Sequence, residues 1–256
     1  KPVAMLMSGR TSTGQRAATA HTGAVPNADD AIDAFLNEYG ILRVASLREL
    51  MLAAKGFGFF PGGLGKRFLI MSNAGGPGVL ATDRVILDGG QMPPLPGPMA
   101  DALRRRLPPE GSVANPLDLL ADAREDRFGA VLDEFIRHGR DAFDAVLGIH
   151  VVPFMIDPVP VVEQIASTMA ASGTPMMHTL MGSLPERNQL QSRLEGAGIP
   201  HFADIEEMAA CAALLARYPA LRAAAQGPEP STLPAFRGRK TPEQTFDSVA
   251  RKALTA

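Results

Sequence analysis

The sequence predicts an α/β fold of doubly wound parallel sheets. Two patterns carry the prediction. From Arg67 onward, apolar strand-like runs alternate with helix-length patterns, and the last strand–helix unit is repeated near the start of the chain. The length and composition agree: 256 residues that are 46% hydrophobic can bury a sizeable core.

The elements follow in order. Pro2–Met7 is strand-like, and a Gly/Ser/Thr-rich stretch, Ser8–Val25, reads as a long loop just past that strand's end. Arg67–Asn73 is an apolar strand closed by a turn, and Val79–Leu87 has helical spacing. Met92–Leu95 reads as a short strand, and Met99–Leu107 and Phe128–His138 as helices. Phe143–Val152 is the strongest strand, apolar almost throughout, as expected for a strand covered on both faces. Val159–Ala171 is a helix, Thr174–Met181 a strand, Pro185–Ala197 a helix, Ile199–Phe202 a short strand and Ile205–Tyr218 a helix. Five strands in this rhythm predict a flavodoxin-like domain over residues 63–222.

The repeat concerns the ends of the two halves. Gly40–Met51 parallels Gly198–Ala209: the glycine, the isoleucine, the Ser or Asp helix cap and a following Glu coincide. Pro2–Met7 parallels Pro175–Met181. Residues 1–62 therefore read as the C-terminal half of another flavodoxin-like domain. Lys1 is not a methionine and opens directly into a strand, so the chain reads as a piece of something longer. Pro175 to Gly198 spans 23 positions and Pro2 to Gly40 spans 38, so the first copy carries 15 extra residues, within Ser8–Val25. Chemistry in open α/β sheets gathers at such strand ends, and long loops in compact domains are often functional. From Gln226 the chain turns Pro-rich and polar, which predicts a linker over residues 223–256; Glu243–Leu254 has helical spacing.

Charge and cysteine content exclude several classes. With 25 Lys+Arg against 27 Asp+Glu there is no electrostatic footprint for nucleic acid or anionic lipid. No apolar run is long enough for a membrane span. Cys211 stands alone, so no internal disulfide or Cys-rich metal site is expected, and its apolar neighbours predict a buried helix position. A cytoplasmic protein is expected.

Three segments have chemical potential. The long stretch contains His21, flanked by Thr22 and Gly23, with Arg10 and Arg16 as cations suited to an anionic substrate. A histidine serves as base, metal ligand or covalent nucleophile; no second ligand is close enough in sequence for a metal site. Asn73-Ala74-Gly75-Gly76-Pro77-Gly78 follows a strand and opens a helix, the pattern of a phosphate cradle built from free N–H groups. It lacks the G-x-G-x-x-G spacing of a dinucleotide site. Asn115-Pro116-Leu117-Asp118 reads first as a structural turn and second as a polar site lining. His150 reads as a satisfied core or strand-end residue, His178 as a structural strand residue, and His138 and His201 as surface or element-end positions.

KPVAMLMSGRTSTGQRAATAHTGAV, SNAGGPGVLATD and SVANPLDLLAD, in that order, resemble the NDP-forming acyl-CoA synthetases, relatives of succinyl-CoA synthetase. The resemblance implies that His21 is a phosphohistidine and that Asn73–Gly78 begin a "power helix" holding its phosphate. Asn115 and Asp118 match a recurrent turn near the site. It further implies ATP or ADP with Mg and CoA as substrates of the full enzyme, and a carboxylic acid or acyl-CoA with phosphate as reactants. A CoA-binding domain would precede this region and an ATP-grasp domain would follow or lie on another chain, in a homo- or hetero-oligomer. This portion alone is expected to bind no cofactor and to be inactive. The alternatives are a non-catalytic regulatory module of the same fold, in which such histidines are often lost, and a response-regulator-like or flavin-binding domain. The last two lack an acidic phosphoacceptor pocket and an aromatic flavin loop.

Overall fold

The computed structural model describes residues 1–22, 29–154, 156–184 and 186–225. Gly23, the side chain of Thr22, the proposed linker from Gln226 and the helical pattern at Glu243–Leu254 lie outside the described parts. The chain divides into two compact units, Lys1–Met51 with Tyr218–Ala256, and Leu52–Arg217.

In the first unit, β1 (Ala4–Leu6) is followed by helices α1 (Ser12–Thr22) and α2 (Asp29–Glu38), strand β2 (Leu42–Val44) and the start of α3 (Leu47–Phe59). β1 and β2 form a parallel two-stranded sheet, with Met5 opposite Arg43. Leu42 and Val44 are buried, and α2 turns Ile32 and Leu36 inward, the i, i+4 spacing of an amphipathic helix.

The expected loop at Ser8–Val25 is thus mostly helix. The cause is local. Thr11 Oγ1 accepts the N–H of Gly14 at 3.1 Å, an N-cap bond, and Ala17, Ala18 and Ala20 are strong helix formers. Gly and Thr in the motif disguised the signal. None of the side chains described in α1 is buried.

The second unit is built on β3 (Phe68–Ser72), followed by α4 (Gly75–Leu87), α5 (Gly97–Arg106), β4 (Ser112–Val113), β5 (Leu117–Asp118), α6 (Glu125–His138), β6 (Ala145–Val151), α7 (Pro158–Ser172), β7 (Met176–Met181), α8 (Arg187–Gly196), β8 (His201–Phe202) and α9 (Ile205–Ala224). The sheet order is β4-β5-β3-β6-β7-β8. Five strands run parallel, and β4 pairs antiparallel with β5 at the edge. Every residue of β3 is buried, as are Ala145–His150 of β6. Helices α5, α6, α7 and α8 pack in series, their apolar faces (Leu103, Phe128, Phe135, Ile165, Leu194) sharing one core.

The count of five parallel strands holds, but one member differs. Met92–Leu95 is not a strand; only Gln91 forms a bridge, to Arg67. Pro93, Pro94 and Pro96 have no N–H to give a ladder. The place beside β3 is taken by β5, with Met71 opposite Leu117 and Ser72 opposite Asp118. Cys211 is buried in α9 and donates to the Leu52 carbonyl at 3.3 Å; burial pushes its thiol up to about 12.

Candidate functional site

In the second unit, the predicted glycine-rich turn and the Asn-Pro-Leu-Asp turn converge at the carboxyl end of β3. Asn73 is buried, and its amide acts as an extra rung of sheet: Nδ2 donates to the Val151 carbonyl and Oδ1 accepts the Val151 N–H, both at 2.8 Å. Its polar atoms are therefore committed to the end of β6. Ser72 Oγ accepts the N–H of Ala74 at 3.1 Å, which fixes the next residue.

Helix α4 then starts at Gly75 with no side-chain cap on Ala74. Gly78 N–H already bonds to the Ala74 carbonyl at 3.2 Å, and Pro77 has no N–H. The open donors of the cradle are the N–H groups of Gly75 and Gly76, both exposed. The expected six-residue cradle is in effect a two-donor one, at the positive end of the helix dipole.

Asp118 lies beside these donors. A Cβ on Gly75 would come within 3.2 Å of Asp118 Oδ2, so only glycine leaves the carboxylate clear. The other oxygen, Oδ1, accepts the Leu120 N–H at 2.9 Å and pins the turn. Asn115 is structural throughout: Nδ2 donates to Phe68 and Pro93 carbonyls (2.8 and 3.0 Å), and Oδ1 accepts the Ile70 N–H at 3.0 Å. It substitutes for the strand that the prolines at 93–96 cannot supply.

His21 and Arg10 belong to the first unit. His21 is in the last turn of α1, exposed, its ring bonded to no described residue. The helix end around it carries partial negative charge, which disfavours a phosphoryl group there. Arg10 precedes α1, half exposed, with Nε 3.5 Å from Asp29 Oδ2. Arg16 donates to Thr13 Oγ1 at 3.0 Å. Asp29 opens α2 and also bonds Arg43, whose other arm reaches Asp33 at 2.6 Å. Arg43 holds the Asp29 carboxyl below the usual carboxylate range, and the two aspartates raise Arg43 in turn. Sequence reading missed Asp29 and Arg43.

The remaining histidines need correction. His201 is at an element end, the first residue of β8, but buried rather than at the surface, and its Nε2 accepts the Leu180 N–H at 3.2 Å. His150 and His178 are buried as expected, but none of their ring nitrogens has a partner. Burial pushes His150 and His201 down to about 4 and holds His178 well below the usual imidazole range. Among the described residues, no cluster of three His, Cys, Asp or Glu is placed to hold a metal, and no helix is long and apolar enough to cross a membrane.

Comparison with known proteins matches residues 1–57 to the succinyl-CoA ligase like flavodoxin domain and residues 68–228 to the Ligase-CoA domain. Over 217 residues the chain is 31% identical to the alpha subunit of acetate–CoA ligase [ADP-forming] II from Pyrococcus furiosus, covering 83% of this chain and 46% of that protein. Over 138 residues it is 37% identical to 4-hydroxybutyrate–CoA ligase [ADP-forming] from Nitrosopumilus maritimus, covering 54% of this chain and 20% of that one. A solved dinucleotide-forming acetyl-coenzyme A synthetase 1 from Ca. Korarchaeum cryptofilum, in complex with phosphate and ADP, superposes with a TM-score of 0.79. At 24% identity, over 92% of this chain and 50% of that one, it shares the fold. The chain spans about half the length of the Pyrococcus furiosus subunit and of the solved synthetase, and a fifth of the 4-hydroxybutyrate–CoA ligase. With a family model covering most of the second unit and a second one covering the start, the chain belongs to the NDP-forming acyl-CoA synthetases, the relatives of succinyl-CoA synthetase.

Proposed function

We propose that this chain is the phosphoryl-relay portion of an NDP-forming acyl-CoA synthetase and that His21 is the carrier. The observation that carries the reading is the position of His21: exposed, its ring unbonded to described residues, on a helix that the repeated copy lacks. In the complete enzyme an acyl-CoA and phosphate give an acyl phosphate and CoA. A ring nitrogen of His21 then attacks phosphorus; the P–N bond forms and the carboxylate leaves. ADP with Mg takes the phosphoryl group, forming ATP and freeing the imidazole. The reverse sequence makes the acyl-CoA.

The surrounding residues suit that traffic. The end of α1 opposes negative charge on His21, so the phosphorylated state needs stabilisation from elsewhere. The Gly75 and Gly76 N–H groups form a phosphate station, and Asp118 beside them keeps its hold on a dianion weak enough for release. CoA, nucleotide and carboxylate sites belong to other domains of the complete cytoplasmic enzyme, on this chain or on a partner. The boundaries at 62 and 222 separate the histidine-bearing half-domain, the complete second domain and the linker.

The test is labelling of the intact enzyme with radioactive ATP. Wild type acquires an acid-labile, base-stable label, as a phosphoramidate does. His21→Ala loses the label and acyl-CoA formation while remaining folded, since an exposed substitution changes stability by less than ~0.5 kcal/mol. Normal turnover by His21→Ala refutes the relay and favours a regulatory role for the same fold.

A further inference from the structure

The extra residues of the first unit have a defined base. Arg10 stands just before α1, and Asp29 is the first residue of α2. Their side chains meet at 3.5 Å, so the residues between them form a segment closed at its roots. Asp29 is in turn bonded to Arg43 on β2, a nearly buried side chain that also grips Asp33 one helical turn further along α2. The roots are thereby fixed to the sheet and to α2 through one carboxylate. Two cations share Asp29, so Arg43 holds it in place for Arg10.

The second copy of the repeat shows what this position does. Gly9 and Gly182 both follow their strands with positive φ, +80° and +130°. Gly182 to Arg187, the first residue of α8, is five positions; Gly9 to Asp29 is 20. Arg187 ties the start of α8 straight back to the strand end, donating to the carbonyls of Leu180 (2.7 Å) and Gly182 (2.6 Å). At the same place Asp29 ties the start of α2 to Arg10, immediately after Gly9. In both copies the first residue of the helix closes the strand-to-helix connection, and in the first copy the closure spans the insertion.

We propose that Asp29, held by Arg43 and paired with Arg10, is a positioning residue that clamps the base of the His21 segment and so sets how often His21 reaches its phosphoryl donor and acceptor. The proposal rests on His21 being the carrier. A segment with pinned roots explores a smaller volume than one with free roots. Its effective concentration at any station within reach is therefore higher. The ion pairs of the clamp join Arg10, Asp29, Arg43 and Asp33 and leave the imidazole out. Opening the clamp changes the rate of delivery and leaves the intrinsic reactivity of the ring unchanged.

The experiment uses the intact enzyme carrying Arg10→Gln, Asp29→Asn, both together, or Asp29→Glu. Arg10 is half exposed and Asp29→Asn leaves Arg43 bonded to Asp33, so the variants are expected to fold. Three quantities are read: the rate of His21 labelling at saturating ATP, the KM for ATP, and chemical phosphorylation of His21 by phosphoramidate, a small donor that needs no delivery. Each single variant should slow enzymatic labelling by at least about threefold. The double variant should be no slower than the singles, because both remove one link. Asp29→Glu should recover part of the rate, and KM and phosphoramidate reactivity should not move. Wild-type labelling in both singles overturns the clamp, as does a multiplicative loss in the double variant or an equal loss with phosphoramidate. A wild type that takes no label at His21, or labels equally as His21→Ala, overturns the relay itself, and the clamp with it.

Discussion

The two copies of the strand–helix–strand–helix repeat share a skeleton down to single hydrogen bonds. Gly40 and Gly198 follow α2 and α8 with φ of +64° and +81°. Ile41 N–H bonds to the Leu36 carbonyl at 2.8 Å, and Ile199 N–H to that of Leu194 at 3.0 Å. Ser46 Oγ accepts the Glu49 N–H while Glu49 reaches back to Ala45 N–H; Asp204 and Glu207 do the same with Ala203. These are reciprocal capping boxes at the same place. In register, Met5 opposite Arg43 in the first copy corresponds to His178 opposite His201 in the second. The copies differ in two respects. The first carries α1 with an exposed histidine and ion pairs from Arg10 and Arg43 to Asp29; the second has a direct connection and buries its histidines. One scaffold is thus used once to present an exposed imidazole and once to bury imidazoles, and that contrast shows that the fold itself does not require the exposed one.

The sharpest way to break that contrast is to remove the insertion. Deleting residues 11–25 leaves Gly9 to Asp29 at five positions, the length found in the second copy. Because no side chain described in α1 is buried, we expect the fold to survive. Shortening the connection fourfold favours folding by about 1 kcal/mol through loop closure, offset by whatever α1 contributes. In the intact enzyme the same deletion should abolish acyl-CoA synthesis. Circular dichroism and urea unfolding of this chain check the first half and turnover checks the second. Loss of cooperative unfolding shows that α1 belongs to the scaffold, and the contrast between the copies collapses.

A second test uses acid. Burial disfavours the charged ring and pushes His150 and His201 down to about 4 and His178 well below 6.5, the value when unfolded. Below pH 6.5 the unfolded chain takes up protons that the folded chain refuses, so stability falls as pH drops from 6.5 toward 4. At pH 5 the loss from His150 alone is on the order of 2 kcal/mol. The first copy has Met5 and Arg43 at the corresponding positions of its sheet and lacks this liability. Hydrogen exchange at pH 7 and pH 5 should show β6, β7 and β8 losing protection first, and His178→Leu should reduce the pH dependence. Uniform loss across both units means that the buried rings do not control it.

How much of this could be read from residues alone depended on range. Parallel strands and their helices were legible because apolar runs such as Ala145–Val151 and the cap–glutamate pairs are local signals. The glycine-rich turn and the Asn-Pro-Leu-Asp turn were legible as turns for the same reason. Helix α1 was obscured because Thr and Gly, which favour turns, surround its alanines. The short strand β5 was misplaced to Met92–Leu95 because Leu117–Asp118 has no pattern of its own; it forms because Asn115 and Leu117 satisfy β3. Asp29 and Arg43 are 14 positions apart and share no motif, and in the second copy they become Arg187 and His201, so the repeat concealed rather than revealed them. Buried histidines without partners are invisible to pattern, since a strand histidine is usually bonded.

The smallest effect distinguishes the copies at their shared glycine. Both Gly40 and Gly198 need a left-handed backbone, where an L side chain costs roughly 1–2 kcal/mol. At Gly198 an added Cβ meets nothing within 4 Å, so Gly198→Ala should cost only that conformational amount. At Gly40 the same atom would come within 3.1 Å of Ala225 Cβ and 3.6 Å of Arg222 Cα, so Gly40→Ala adds a steric cost to the conformational one. Asparagine separates the two contributions, because it tolerates this backbone region better than alanine. Gly198→Asn should regain part of the loss seen with alanine, whereas Gly40→Asn should not, since the larger side chain worsens the contact. Urea unfolding of the four variants measures this directly. Equal costs at the two sites mean that Ala225 yields freely, and the two turns are then as interchangeable energetically as they are in their hydrogen bonds.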